Sequence, residues 1–207
     1  MLFRSVISVA LNYYTPFQHE QNNEKGKISR YAWGDDYHNI LKPKLEQLLQ
    51  WIKRKEPNAN GKVYVDTGPV LEKIWAQKSG IGWEGKHTNI ISKEYGSWIF
   101  LGEIITNLEL DYDDEAIDHC GSCTLCIDAC PTQAIIEPYI LDASKCISYL
   151  TIEHKGEIEP SLTKHFDGWL YGCDICQDVC PWNHKFRSEE HTSEFQSRFG
   201  ISYAVFC

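Results

Sequence analysis

Eight of the nine cysteines stand at spacings suited to holding iron. Cys120, Cys123, Cys126 and Cys130, followed by Pro131, form C-x2-C-x2-C-x3-C-P. In two-cluster iron-sulfur domains the fourth cysteine of that run reaches over to the other cluster, so a second cluster is expected. Cys173-x2-Cys176-x3-Cys180-Pro181 is the same run without its first member, because Leu170 occupies that place. Cys146 is the only other cysteine between the runs, and it completes the count. The eight thiolates then divide into Cys120, Cys123 and Cys126 with Cys180, and Cys173, Cys176 and Cys146 with Cys130. Two zinc sites are the competing reading, since paired C-x2-C motifs also build zinc ribbons. Three cysteines at successive two-residue gaps, with a trailing Cys-Pro used twice, favour two 4Fe-4S clusters.

A second group of residues has the chemistry to move protons or hold ligands. Asp66 closes a strand-like stretch at 62–66, where open α/β sheets place their ligand crevice. It is a candidate acid, and a turn or cap aspartate is the competing reading. Lys86 and His87 lie in a glycine-rich loop that begins at Gly80-Ile81-Gly82. Such a loop can receive a phosphate or an amide-rich ligand, although it fits no standard phosphate-loop pattern. Arg30 to Gly34 mixes a cation, aromatics and glycine, a composition common on surfaces and in cores. His119 precedes Cys120, where it either tunes a cluster or is simply solvated.

The elements that must position these groups read as alternating α and β. Residues 5–14 alternate as a strand. Residues 37–55 place Tyr37, Ile40, Leu41, Leu45, Leu48, Leu49 and Ile52 on one helical stripe, closed by Pro57, Asn58, Asn60 and Gly61. A short strand at 62–66, a turn at Thr67-Gly68-Pro69 and a helix over 70–77 follow, then strands near 88–92 and 97–105. A β-α-β-α-β order predicts a parallel or mixed sheet covered by helices, hence an α/β (α+β) chain.

With 43% hydrophobic and 24% charged residues the chain is neither disordered nor fibrous. No apolar run reaches the ~18 residues needed to span a membrane. The apolar residues 6–11 alternate too much for a signal peptide, which points to a reducing compartment where thiols bind metal or react. A net charge of −9, concentrated in the acids of 109–115, argues against indiscriminate nucleic-acid binding, while leaving room for docking one RNA on a local basic face.

Five blocks, in order, resemble the epoxyqueuosine reductase family over residues 3–186. They are Arg30-Tyr31-Ala32-Trp33-Gly34-Asp35-Asp36-Tyr37-His38, Val65-Asp66-Thr67-Gly68-Pro69-Val70-Leu71-Glu72, Gly82-Trp83-Glu84-Gly85-Lys86-His87-Thr88, Trp98-Ile99-Phe100-Leu101-Gly102-Glu103-Ile104, and the cysteine runs. The resemblance implies a cytoplasmic, monomeric, cobalamin-dependent enzyme with two 4Fe-4S clusters, a tRNA substrate and an external electron donor. It implies a mixed-sheet cobalamin-binding domain at 1–111, then a bacterial ferredoxin-like 2x4Fe-4S domain at 112–186. Relatives of that kind carry a further N-terminal segment and a C-terminal helical-repeat region, so truncation at both ends is expected. Lys73 departs from the family, which often has Arg there.

On the same resemblance Asp66 is the proton donor, with its pKa raised by a desolvating corrin and aromatic neighbours. Ser29, Arg30, Asp66, Ile90, Leu101 and Ser148 are expected around the corrin, and the cluster using Cys146 nearest to it. A reductive dehalogenase-like enzyme, expected to use a tyrosine acid instead, and a plain ferredoxin-like electron carrier are the rivals. The likeness stops after Phe186. Residues 187–207 are expected to be a non-native tail, opening like a translated sequencing adapter and leaving Cys207 surplus; the alternative is a genuine tail whose residues 199–206 pack as a strand.

Overall fold

The computed structural model describes residues 3–19 and 25–184 and the backbone of 199–201. In chain order its strands and helices are β1 (Ser5–Asn12), β2 (Lys27–Ile28), α1 (Tyr37–Lys55), β3 (Gly61–Tyr64), α2 (Glu72–Lys78), β4 (Trp83–Glu84), β5 (Ile90–Ile91) and β6 (Ile99–Thr106). The cysteine region adds α3 (Leu125–Asp128), β7 (Ile135–Glu137), β8 (Ile140–Leu141), α4 (Ile147–Ile152), α5 (Pro160–Thr163), β9 (Trp169–Tyr171), α6 (Ile175–Asp178) and α7 (Pro181–His184). A last strand, β10 (Phe199–Ile201), lies antiparallel beside β1. That pairing corresponds to the strand alternative for three tail residues; the rest of 187–207 lies outside the described residues.

The main sheet has the order β10-β1-β6-β3, and every neighbouring pair in it is antiparallel. This corrects the expectation of a parallel or mixed sheet. The β1-α1-β3 crossover does make two strands that run the same way, but they are not neighbours. β6 returns between them, antiparallel to both, and takes their hydrogen bonds. Element order fixed the crossover and left the insertion of a later strand open.

α1 forms because its apolar stripe faces one side of this sheet. Leu41, Leu45, Leu49 and Ile52 are buried against Ile7, Val9, Leu11 and Ile104. The Asp36 carboxylate accepts the His38 amide at the helix start, and Lys53, Arg54 and Lys55 meet the negative end of the dipole. Gly102 lets the helix come close, since a Cβ there would sit 2.8 Å from Leu45 Cδ1. The opposite face packs Ala10 against Ala76, Ile81 and Ile90 beneath α2.

The cysteine region is two short loop-and-helix units, with α3 following Cys123 and α6 following Cys173. It is tied to the sheet domain by a parallel β2–β9 pair and by a buried ion pair. Arg30 Nη1 lies 3.0 Å from both Asp174 Oδ2 and Asp178 Oδ1, and its amide donates to Asp174 as well. Among the described residues no helix is long and apolar enough to cross a membrane.

Candidate active site

One cavity of about 570 Å³ lies between the sheet domain and the cysteine region. Its walls bring together residues far apart in sequence: Asp66 from the loop after β3, Ile90 from β5, Leu101 from β6, and Ser148 from α4. Ser29 joins them from the segment before α1. All four thiols of the second expected set, Cys130, Cys146, Cys173 and Cys176, line the same cavity. None of Cys120, Cys123, Cys126 and Cys180 does.

The thiols of the cysteine region interact electrostatically, both within and across the two expected sets, since Cys126 as well as Cys173, Cys146 and Cys130 raises the buried Cys176. Cys180 and Cys120 raise Cys126, and Cys146 and Cys130 raise Cys173. Burial is the larger cause in each case, pushing Cys126 up to about 11 and Cys173 up to about 12. Thiols so placed become thiolates when a metal compensates the charge, which suits a soft iron-sulfur donor set. Trp83, Ile91 and Trp182 pack around Cys180 and Cys120, and the exposed His119 lies edge-on to Trp83 at 5.0 Å.

Lys86 has a different task from the phosphate contact that its loop suggested. Its Nζ donates to Gly121 O at 2.6 Å and Cys123 O at 2.8 Å, so the side chain is stitched into the first cysteine loop. His87 is buried and neutral, with burial and the Lys73 charge lowering it to about 4. Its Nδ1 accepts the Asn89 amide. Arg30 does not line the cavity; held by Asp174 and Asp178, it anchors the Ser29 segment, and the Ser29 hydroxyl also donates to Asp174.

Asp66 occupies a left-handed turn, with φ 54°, and its amide donates to Glu72 Oε1 at 2.5 Å. It is thus a turn residue, as one reading had it, and it also lines the cavity. The carboxylate is 60% exposed, so the protein walls alone do not supply the desolvation expected there. Two partners were not foreseen. His38 Nε2 stands 3.6 Å from Asp66 Oδ2, too long for a hydrogen bond, while His38 Nδ1 lies 2.7 Å from Asp36 Oδ1. The His38 amide and ring hold Asp36 below the usual carboxylate range. Asp-x-His at a helix start was the visible signal, and Tyr37 between them stacks on Phe100 at 4.2 Å.

The cavity is open, largely apolar and aromatic, and its lining includes both thiols and an acid. Those residues fit a flat apolar redox cofactor placed within reach of an iron-sulfur cluster.

A family model described as "Epoxyqueuosine reductase QueG, DUF1730" matches residues 2–67, and one described as "4Fe-4S double cluster binding domain" matches residues 119–183. An epoxyqueuosine reductase from Synechocystis sp. is 53% identical over 193 residues, 93% of this chain and 67% of that protein. Another from Cellulophaga algicola is 53% identical over 180 residues, 87% of this chain and 58% of that protein. The solved epoxyqueuosine reductase from Streptococcus thermophilus superposes with a TM-score of 0.79 at 41% identity, covering 86% of this chain and 49% of that chain. A crystal structure of epoxyqueuosine reductase with a tRNA-Tyr epoxyqueuosine-modified tRNA stem loop gives a TM-score of 0.79 at 39% identity, covering 86% and 48%. The chain thus spans about half the length of these solved relatives.

Proposed function

Since the chain belongs to the epoxyqueuosine reductase family, we propose that it reduces the epoxide of epoxyqueuosine in a tRNA anticodon to the alkene of queuosine. The observation that carries this reading is the shared cavity, which is lined both by an acid, Asp66, and by the four thiols of one expected cluster set. The reaction breaks both epoxide C–O bonds, forms a C=C bond, consumes two electrons and two protons, and releases the oxygen as water.

Each residue then has a task. Cys120, Cys123, Cys126 and Cys180 would hold one 4Fe-4S cluster, and Cys173, Cys176, Cys146 and Cys130, which line the cavity, the other. Such clusters would supply one-electron chemistry fed by an external donor. Asp66 donates a proton to the epoxide oxygen, with His38 Nε2 3.6 Å from its carboxylate and tied by Nδ1 to Asp36. Ser29, Ile90, Leu101 and Ser148 form the walls that would hold cobalamin. Cobalamin, the family's cofactor, would when bound supply a two-electron cobalt nucleophile at the epoxide carbon. Arg30 positions Ser29 through Asp174. A cytoplasmic monomer with domains at 1–111 and 112–186 completes the reading, with 187–207 as a non-native tail.

Anaerobic reconstitution with iron, sulfide and cobalamin, followed by turnover of an epoxyqueuosine-modified stem loop, tests it. Asp66→Asn should retain clusters and corrin while losing on the order of 10²–10⁴-fold in rate. Undiminished turnover in that variant returns Asp66 to the role of a turn residue. A reconstituted chain that binds no corrin favours the electron-carrier alternative.

A further inference from the structure

Beneath the Asp66 loop lies a polar row that the reaction leaves unused. Glu103 stands in β6 opposite Ser8 of β1 and Tyr64 of β3, in register with both, so the three project from one face. Ala10 and Leu101 make the rest of that face apolar. Glu103 is 0% exposed. Its Oε1 accepts the Ser8 hydroxyl at 3.3 Å, and its Oε2 has no hydrogen-bond partner of its own among the described residues. A carboxylate buried in that state has only the Ser8 hydroxyl to offset its lost hydration. The group it does meet is a second acid, Glu72, the first residue of α2. Glu72 in turn accepts the Asp66 amide through Oε1. Two neighbouring carboxyls satisfy each other when one of them keeps its proton.

We propose that Glu103 and Glu72 share a single proton, and that this pair is the positioning device that holds the Asp66 loop over the cavity. The proposal rests on reading Asp66 as the donor and deepens it. A proton on Glu103 gives Oε2 its partner and leaves Glu72 as the carboxylate that fixes the left-handed Asp66 turn. Burial first, then the Glu72 charge, pushes Glu103 up to about 9, and burial raises Glu72 as well. The other titratable groups facing the pair are Asp66, His38 and Tyr37 from the loop and α1, Lys73 from α2, and Tyr64 from β3. Losing the shared proton at alkaline pH leaves two adjacent negative charges. Glu72 then swings away, and the Asp66 amide loses its acceptor.

Amide exchange at Asp66 tests this in the full chain carrying its clusters, with neither corrin nor tRNA added. Protection should hold from pH 6 to 8 and then fall, about tenfold per pH unit above about 9, as one proton leaves. In Glu103→Gln, which keeps the shape and the Ser8 contact, that alkaline loss should disappear. A loss that persists in Glu103→Gln belongs to Lys73 or a tyrosine and overturns the proposal. Should this variant fail to retain its clusters, the wild-type chain decides alone. Its infrared spectrum at pH 8 must show a protonated carboxyl band that vanishes by about pH 10, and absence of the band overturns the pair. Turnover by Asp66→Asn tests the donor reading separately, so either idea can fail without the other.

Discussion

Lys86 shows how a single side chain joins the two parts of the molecule. The ammonium crosses from the glycine-rich loop to donate to Gly121 O and Cys123 O, and its exposure is only 8%. Both carbonyls belong to the loop that presents Cys120 and Cys123, so the cation also sits beside the charge of the proposed outer cluster, the one whose thiols lie off the cavity lining. Lys86→Met keeps the stem and removes these donors; Gly121 is exposed and Cys123 half-buried, so water replaces part of what is lost and the cost is about 1 kcal/mol per bond. The outer cluster should then bleach several-fold faster under a chelator, and its midpoint potential should fall because a nearby positive charge is gone. The inner cluster's signal, followed by electron paramagnetic resonance, should stay unchanged. Equal damage to both clusters would refute a local role. At this scale the sequence exposed chemical types well and partners poorly. Lys86 in a glycine-rich loop looked like an anion ligand, because nothing in residues 80–89 reveals that carbonyls 35 and 37 positions away complete it.

The β4–β5 hairpin is the element that delivers Lys86 and packs Trp83 against Cys180. It depends on a close backbone approach at Gly82. A Cβ there would meet Ile91 O at 2.3 Å and Ser92 N at 2.9 Å, and neither backbone atom can rotate away as a side chain would. Gly82→Ala should therefore open the hairpin and release Lys86. The expected outcome is loss of roughly half the iron from the chain by elemental analysis, taken from the Cys120 set, while far-ultraviolet circular dichroism reports α1 intact. Full iron content in that variant would show that the hairpin is not what secures the outer cluster. Periodicity found α1 to the residue, because its buried stripe repeats at i, i+4 and i+8 and polar residues cap both ends. The same reading placed β1 and β6 correctly and merged β5 into a longer strand. Two-residue strands are set by a partner's hydrogen bonds, not by a pattern long enough to read.

Across the whole molecule the cavity exists because the sheet domain and the cysteine region are clamped together. The clamp is Arg30 with Asp174, side chains 2% and 0% exposed, reinforced by Asp178 and by Ser29. Arg30→Leu leaves a buried carboxylate unpaired, a loss of about 3–5 kcal/mol that urea denaturation should register. Because Asp174 lies between Cys173 and Cys176, the inner cluster should become oxygen-sensitive in the same variant; an unchanged midpoint would show the clamp to be dispensable. The sequence by itself determined the local facts: eight thiols at iron spacing, an acid just past a strand, an amphipathic helix, and ordered blocks that resemble one family. Each is written in neighbouring residues, where spacing fixes geometry. Only the tertiary structure decided which of these meet. It set β6 between β1 and β3, brought Cys146 and its three companions to the cavity that Asp66 also lines, left Arg30 off that lining, and buried Glu103 in the sheet. Those outcomes depend on long-range packing and register, where the free energy comes from burying surfaces that no short stretch of chain contains.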